Sequence, residues 1–171
     1  MGLPEMISGR VWKLGDNVNT DILHPPSYFS LDEEKMKEGV WQGMKRSGLG
    51  LTEISSNNDW VIVAGENFGC GSSRETSVRG LRACGLKAVI AVSFARIFFR
   101  SLTNLCIPPL VCRETQDCVG NGDLIQIHLK QSVIELSNGR RFSFSPIDTH
   151  IERILEAGGL IPYLRREGNG V

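Results

Sequence analysis

No stretch of this chain stays apolar for long: runs such as Ala88 to Val92 fall far below the roughly 20 residues that a membrane-spanning helix requires. The amino terminus has no signal-type apolar run either, so no membrane is expected as a partner. An excess of one charge is also missing. Lysine plus arginine number 19 and aspartate plus glutamate 19, which leaves no general electrostatic pull toward nucleic acid. Paired cysteines are absent as well. Cys70, Cys84, Cys106, Cys112 and Cys118 are odd in number and contain no Cys-x-x-Cys, which speaks against a disulfide framework and against a metal site built by this chain alone. A reducing, cytoplasmic setting is expected. With 171 residues, the expectation is a single domain, 1–171, with a real core.

What is present begins with a strand and a glycine loop. Trp60 to Ala64 is a short β-rich apolar run that leads into Gly65-Glu66-Asn67-Phe68-Gly69-Cys70-Gly71. From Ser73 onward, Val78, Leu81, Arg82 and Cys84 follow helical spacing, and Gly85 stands where a helix ends. Lys87 to Val92 reads as a second buried strand, Phe94 to Leu105 as a second helix stopped by Pro108-Pro109, and Leu110 to Cys112 as a third strand. This alternation predicts an α/β core with parallel neighbours and helices on at least one face.

Beyond Cys112 the pattern changes. Leu124 to Leu129 and Val133 to Leu136 alternate apolar with polar, and Ser137-Asn138-Gly139-Arg140 offers a hairpin turn into Arg141 to Phe144, so antiparallel strands are expected. Asp148 is placed to cap a last helix through Ala157, ended by Gly158-Gly159, with a frayed tail over 165–171. In the first third, Gly9 to Leu14 reads as a strand, Leu31 to Met44 as a helix and Ser47 to Asn58 as a polar loop.

Chemistry concentrates in Gly69-Cys70-Gly71-Ser72-Ser73-Arg74-Glu75. Small residues, two hydroxyls and a guanidinium stand where a loop meets a helix start, and free N–H groups there suit a phosphate or carboxylate. Arg74 can make two parallel hydrogen bonds to a carboxylate, which lysine cannot. The same spacing also serves plain capping, with Ser72 as N-cap and Glu75 closing a capping box. A Walker loop and a Gly-x-Ser-x-Gly elbow are both excluded by the residues present. Cys70 borders the motif without a base nearby in sequence, and His24, His128 and His150 are too dispersed for a metal triad, so structural roles are expected for them.

Three blocks occur in order: Gly15-Asp16-Asn17-Val18-Asn19-Thr20-Asp21, then Val63 through Glu75, then Lys87-Ala88-Val89-Ile90-Ala91-Val92-Ser93-Phe94-Ala95-Arg96-Ile97-Phe98-Phe99-Arg100. Over about Gly9 to Pro109 the chain resembles the small subunits of isopropylmalate dehydratase and homoaconitase, which match the C-terminal swivelling domain of aconitase. The resemblance implies a β/β/α layered sheet of barrel-like character with mixed parallel and antiparallel strands. It implies a hydro-lyase that moves a hydroxyl between neighbouring carbons of a hydroxy diacid, in leucine biosynthesis if the substrate is isopropylmalate. Ser72 would be the alkoxide base, Ser73 and Arg74 would bind substrate, and Asp21 would lie near the active site, although Asp21 also reads as a turn residue.

A serine hydroxyl is a poor base at neutral pH and needs a preorganised positive field to act as one. The resemblance also implies a 4Fe-4S cluster as Lewis acid. Because no Cys-x-x-Cys is present here, the cluster is expected on a larger partner subunit, and the chain alone is expected to be inactive. Two departures stand out, Thr76 where many members have histidine and Cys106 where they have glycine. The loop Tyr28-Phe29-Ser30-Leu31 corresponds to the segment that selects the substrate side group. Lacking a cation, it favours an alkyl group over a second carboxylate, hence isopropylmalate over homoaconitate, with dimethylmalate open. Tyr28 to Leu31 also reads as the mere start of the next helix, and a non-catalytic anion-binding module is the rival of a different class.

Overall fold

The computed structural model describes residues 4–47, 59–71 and 74–168. Four parallel strands form one half of a sheet: β1 (Met6–Lys13), β2 (Trp60–Ala64), β3 (Leu86–Ala91) and β4 (Pro109–Val111). Three antiparallel strands, β5 (Leu124–His128), β6 (Val133–Leu136) and β7 (Arg141–Ser143), form the other. The described order is β4-β3-β2-β1-β5-β6-β7. The seam is β1, which pairs in parallel with β2 and antiparallel with β5.

Side-chain alternation along β2 explains the layering. Trp60, Ile62 and Ala64 join a core with Val40 and Met44 of α2 (Glu33–Arg46), Val78 and Leu81 of α3 (Glu75–Ala83) and Phe98 and Leu102 of α4 (Arg96–Asn104). Val61 and Val63 turn the other way and meet Ile90, Leu110, Ile125, Ile127 and Ile134. Residues of β5 and β6 thus cover the second face of β2 and β3, so the sheet curls over itself. This is the β/β/α half-barrel that the resemblance implied. Trp12 joins Trp60 in the helix-side core: their rings lie 5.5 Å apart, and Trp60 Nε1 donates to the Cys84 carbonyl at 2.6 Å. No helix among the described residues is long and apolar enough to cross a membrane.

Several expectations shift. The helix read at Leu31 to Met44 starts at Glu33, because Asp32 accepts from the Lys35 N–H and caps it. The strand read at Gly9 begins at Met6, and the polar loop read at Ser47 to Asn58 lies, from residue 48, outside the described residues. Asp148 does cap a helix, α6 (Thr149–Glu156), but that helix is not the last. Gly158 and Gly159 adopt positive φ, and the chain turns into α7 (Leu160–Gly168), so 165–168 are helical rather than frayed. Ser137 to Arg140 is a hairpin loop, with only Gly139 left-handed: a type I turn followed by a bulge.

The capping-box reading of Ser72 does not hold. Arg74 is the N-cap of α3, with extended φ −111° and ψ 136° and no side-chain cap bond. Cys70 pairs with Asn19 in a β-bridge, and the helix begins at Glu75. Cys106, where the resembled family has glycine, sits at φ 60°, a left-handed position that glycine fills without strain.

Candidate active site

Strands β1, β2 and β3 end at Lys13, Ala64 and Ala91, and the segments that follow them meet at this one edge of the parallel half. In open parallel sheets this edge is where ligands bind, because adjoining loops leave a crevice there. The three sequence blocks supply those segments. Asp16 Oδ1 accepts from the Glu66 N–H at 2.7 Å, and the Asn17 N–H donates to the Glu66 carbonyl at 2.8 Å. Asn67 Nδ2 donates to Asn17 Oδ1 at 2.9 Å, while the Asn67 N–H donates to Ser93 Oγ at 2.8 Å. Two β-bridges, Asn19 with Cys70 and Phe68 with Phe94, complete the knot.

The sequence reading missed Asp16, Asn17, Asn67 and Ser93 as supports. Asn17 and Asn67 hold φ values of 52° and 53°, where asparagine is better tolerated than most residues. Glycines allow the close approaches. A side chain at Gly65 would collide with the Asp16 carboxylate and one at Gly69 with the Phe98 ring; one at Gly71, already at φ +91°, would stand 2.6 Å from Asn19 Oδ1.

Asp21 lies in α1 (Thr20–Leu23), a short helix unseen in the sequence, whose N-cap Asn19 accepts from the Asp21 N–H at 2.9 Å. Thr20 donates its N–H to the Cys70 carbonyl at 3.2 Å, which brings Asp21 to the glycine loop. Asp21 Oδ1 is buried and has no hydrogen-bond partner among the described residues. Ser72 and Ser73 lie outside the described residues; the flanking Cys70, Gly71 and Arg74 fix where the chain enters and leaves them.

Arg74 is exposed, and its guanidinium carbon stands 4.6 Å from the centroid of the Phe29 ring, a cation–π contact. The loop read as one specificity segment therefore divides. Phe29 meets Arg74, Ser30 Oγ accepts from the Asp32 N–H just ahead of α2, and Tyr28 lines a groove with Trp41 and Cys84. Leu31 is 84% exposed and borders a different groove beside Arg79 and Arg82. Cys70 Sγ donates to the Asn17 carbonyl at 3.2 Å.

The described residues hold no group of three or more His, Cys, Asp or Glu that could bind a metal ion. Burial pushes the Cys84 thiol up to about 12 and raises those of Cys106 and Cys112 above the usual thiol range.

A curled mixed sheet with helices on one face and this loop knot at the edge of its parallel half defines an aconitase-type swivelling domain, and residues 50–115 match the Aconitase C-terminal domain family. The chain is 39% identical over 166 residues to 3-isopropylmalate dehydratase small subunit 1 of Methanopyrus kandleri, covering 96% of this chain and 95% of that protein. It is 38% identical over 164 residues to the isopropylmalate/citramalate isomerase small subunit of Methanocaldococcus jannaschii, covering 95% of each. A crystal structure of 3-isopropylmalate dehydratase from Methanocaldococcus jannaschii superposes with a TM-score of 0.84 at 36% identity, covering 96% of both chains. The chain belongs to the family of 3-isopropylmalate dehydratase small subunits.

Proposed function

We propose that this chain acts as one swivelling domain, the small subunit of a cytoplasmic hydro-lyase that interconverts 2-isopropylmalate and 3-isopropylmalate, a step of leucine biosynthesis. The observation that carries the reading is the convergence of three distant blocks on one edge, with Asn19 paired to Cys70 and Arg74 laid over Phe29. Ser72 and Ser73 stand in the chain between those two fixed points.

In this reading the Ser72 alkoxide takes a proton from the carbon next to a substrate carboxylate, and the electron pair of that C–H bond becomes the double bond as the neighbouring hydroxyl departs. Re-addition of water at the other carbon completes the isomerisation, with the Ser72 hydroxyl returning its proton. Arg74 holds a substrate carboxylate by two parallel hydrogen bonds, Ser73 adds a further one, and Asp21 lies beside the reacting groups. Phe29 offers an apolar surface to the branched alkyl group, while Tyr28, Ser30 and Leu31 face away from Arg74 and are left out of that wall. Departure of the hydroxyl needs a Lewis acid, which we assign to a 4Fe-4S cluster on a large partner subunit. The lack of a Cys-x-x-Cys pair in this chain supports placing it there.

The test is the pair, co-expressed with its large subunit, purified anaerobically and assayed by kcat/KM against isopropylmalate, citramalate, dimethylmalate and homoaconitate. Isopropylmalate is expected to lead. Citramalate is the second reading, because a relative 38% identical carries both substrates in its name. Normal turnover by an assembled, cluster-loaded Ser72→Ala pair would instead leave the chain an anion-binding module.

A further inference from the structure

His24 takes no part in that mechanism, yet it is fully buried where four pieces of the site meet. It is the C-cap of α1, and its N–H donates to the Thr20 carbonyl at 2.9 Å, which ties it to the helix carrying Asp21. Its Nδ1 lies 3.3 Å from Ser77 Oγ in the first turn of α3, directly behind Arg74. From α2, Gly39 leaves room for the ring: a side chain there would strike the imidazole edge at Cδ2 and Nε2. The ring lies tilted against Phe29, with centroids 5.3 Å apart and planes inclined by 47°. Phe29 in turn underlies the Arg74 guanidinium.

We propose that His24 is a positioning residue for substrate recognition, orienting Phe29 and, through it, the Arg74 guanidinium. This rests on the reading of Arg74 as the carboxylate-binding group. An imidazole suits the task because it sets an aromatic ring against Phe29 and is polar enough to be anchored. An aliphatic residue could fill the space but would leave the ring of Phe29 free to turn. The Ser77 bond fixes the imidazole plane against the start of α3, so the helix that follows Arg74 and the loop that carries Phe29 share one reference point. Phe29 touches the Arg74 guanidinium and the Ser77 N–H donates to the Arg74 carbonyl at 3.1 Å, so His24 acts at one remove.

The assembled pair, assayed with isopropylmalate, separates this role from simple packing. Arg74→Lys should raise KM about 100-fold, His24→Asn about 10-fold and Ser77→Ala about threefold, with kcat in the His24 and Ser77 variants within about twofold. Ser77→Ala removes only the anchor and leaves the core volume intact, so it reports even if His24→Asn folds poorly. Coupling is the sharper readout: in a Phe29→Leu background, His24→Asn should add less than about twofold to KM. An unchanged KM in both Ser77→Ala and His24→Asn, or an equal KM effect with and without Phe29, overturns the proposal. If Arg74→Lys also leaves KM unchanged, the carboxylate reading of Arg74 falls first and takes the proposal with it.

Discussion

The two halves of the sheet differ in what their strand ends carry. In the parallel half β2 is buried on both faces, and its C-terminal edge is spent on a loop knot of glycines and asparagines at positive φ. In the antiparallel half β5 alternates exposed and buried residues, its turns are short, and its apolar face closes the second core over Val61, Val63 and Ile90. Crossover connections return every parallel strand in the same sense, so their ends gather at one edge, whereas hairpins alternate ends and gather nothing. On the proposed function, the parallel half carries the chemistry and the antiparallel half contributes stability.

Substitutions can break that division. Ser72→Ala in the assembled pair should cost about 1,000-fold in kcat, on the order of 4 kcal/mol of transition-state stabilisation. A loss below tenfold would remove the serine from the base role. Ile134→Ala, in the antiparallel half, should lower unfolding free energy by about 3 kcal/mol, since Ile134 is fully buried and the cavity cannot refill. The kcat/KM of its folded fraction should stay within about twofold of the parent, measured by denaturant unfolding and by assay below the transition. Gly71→Ala sits between these extremes. Its φ of +91° and the approach to Asn19 Oδ1 should cost about 1–2 kcal/mol of stability together with about tenfold in kcat/KM. A Gly71→Ala pair with unaltered activity would show that the Asn19–Cys70 bridge is scaffold rather than site.

The same division governs what could be read in the residues. Trp60 to Ala64, the glycine loop and the helix after it follow one another locally, so period and turn chemistry reveal them. The three blocks are legible by resemblance as well. Their meeting is not, because Asn17 and Asn67 are 50 positions apart and only the sheet order brings β1 beside β2. Helix α1 has four residues, too few for a period, and the 3-10 turn Pro26–Tyr28 follows Pro25, which reads as loop. The start of α3 differs from the local reading for a related reason: Ser72 and Glu75 have capping spacing, but Arg74 is itself extended and serves as the N-cap. Likewise Gly158-Gly159 signals a helix end truthfully and says nothing of the helix beyond. Phe29 under Arg74 joins residues of two separate segments and carries no local signal at all.

The smallest expected effect sharpens the comparison through pH. Burial holds the His24 imidazole below its usual value of 6.5, and among the described residues the groups around it, the Ser77 hydroxyl from α3, the Phe29 ring from its loop and the Met36 carbonyl from α2, include no carboxylate. The Met36 carbonyl pulls weakly the other way. In the unfolded chain His24 titrates near 6.5, so as pH falls through that value the unfolded state takes up a proton that the native state refuses. Stability from this group is therefore full above about pH 6.5 and declines below it, by at most about 1.4 kcal/mol per pH unit. Unfolding free energies measured at pH 7.5 and 5.5 should differ more in the parent chain than in His24→Asn. Equal differences would mean that His24 accepts its proton in the folded state, and that the parallel half is open to water behind Arg74.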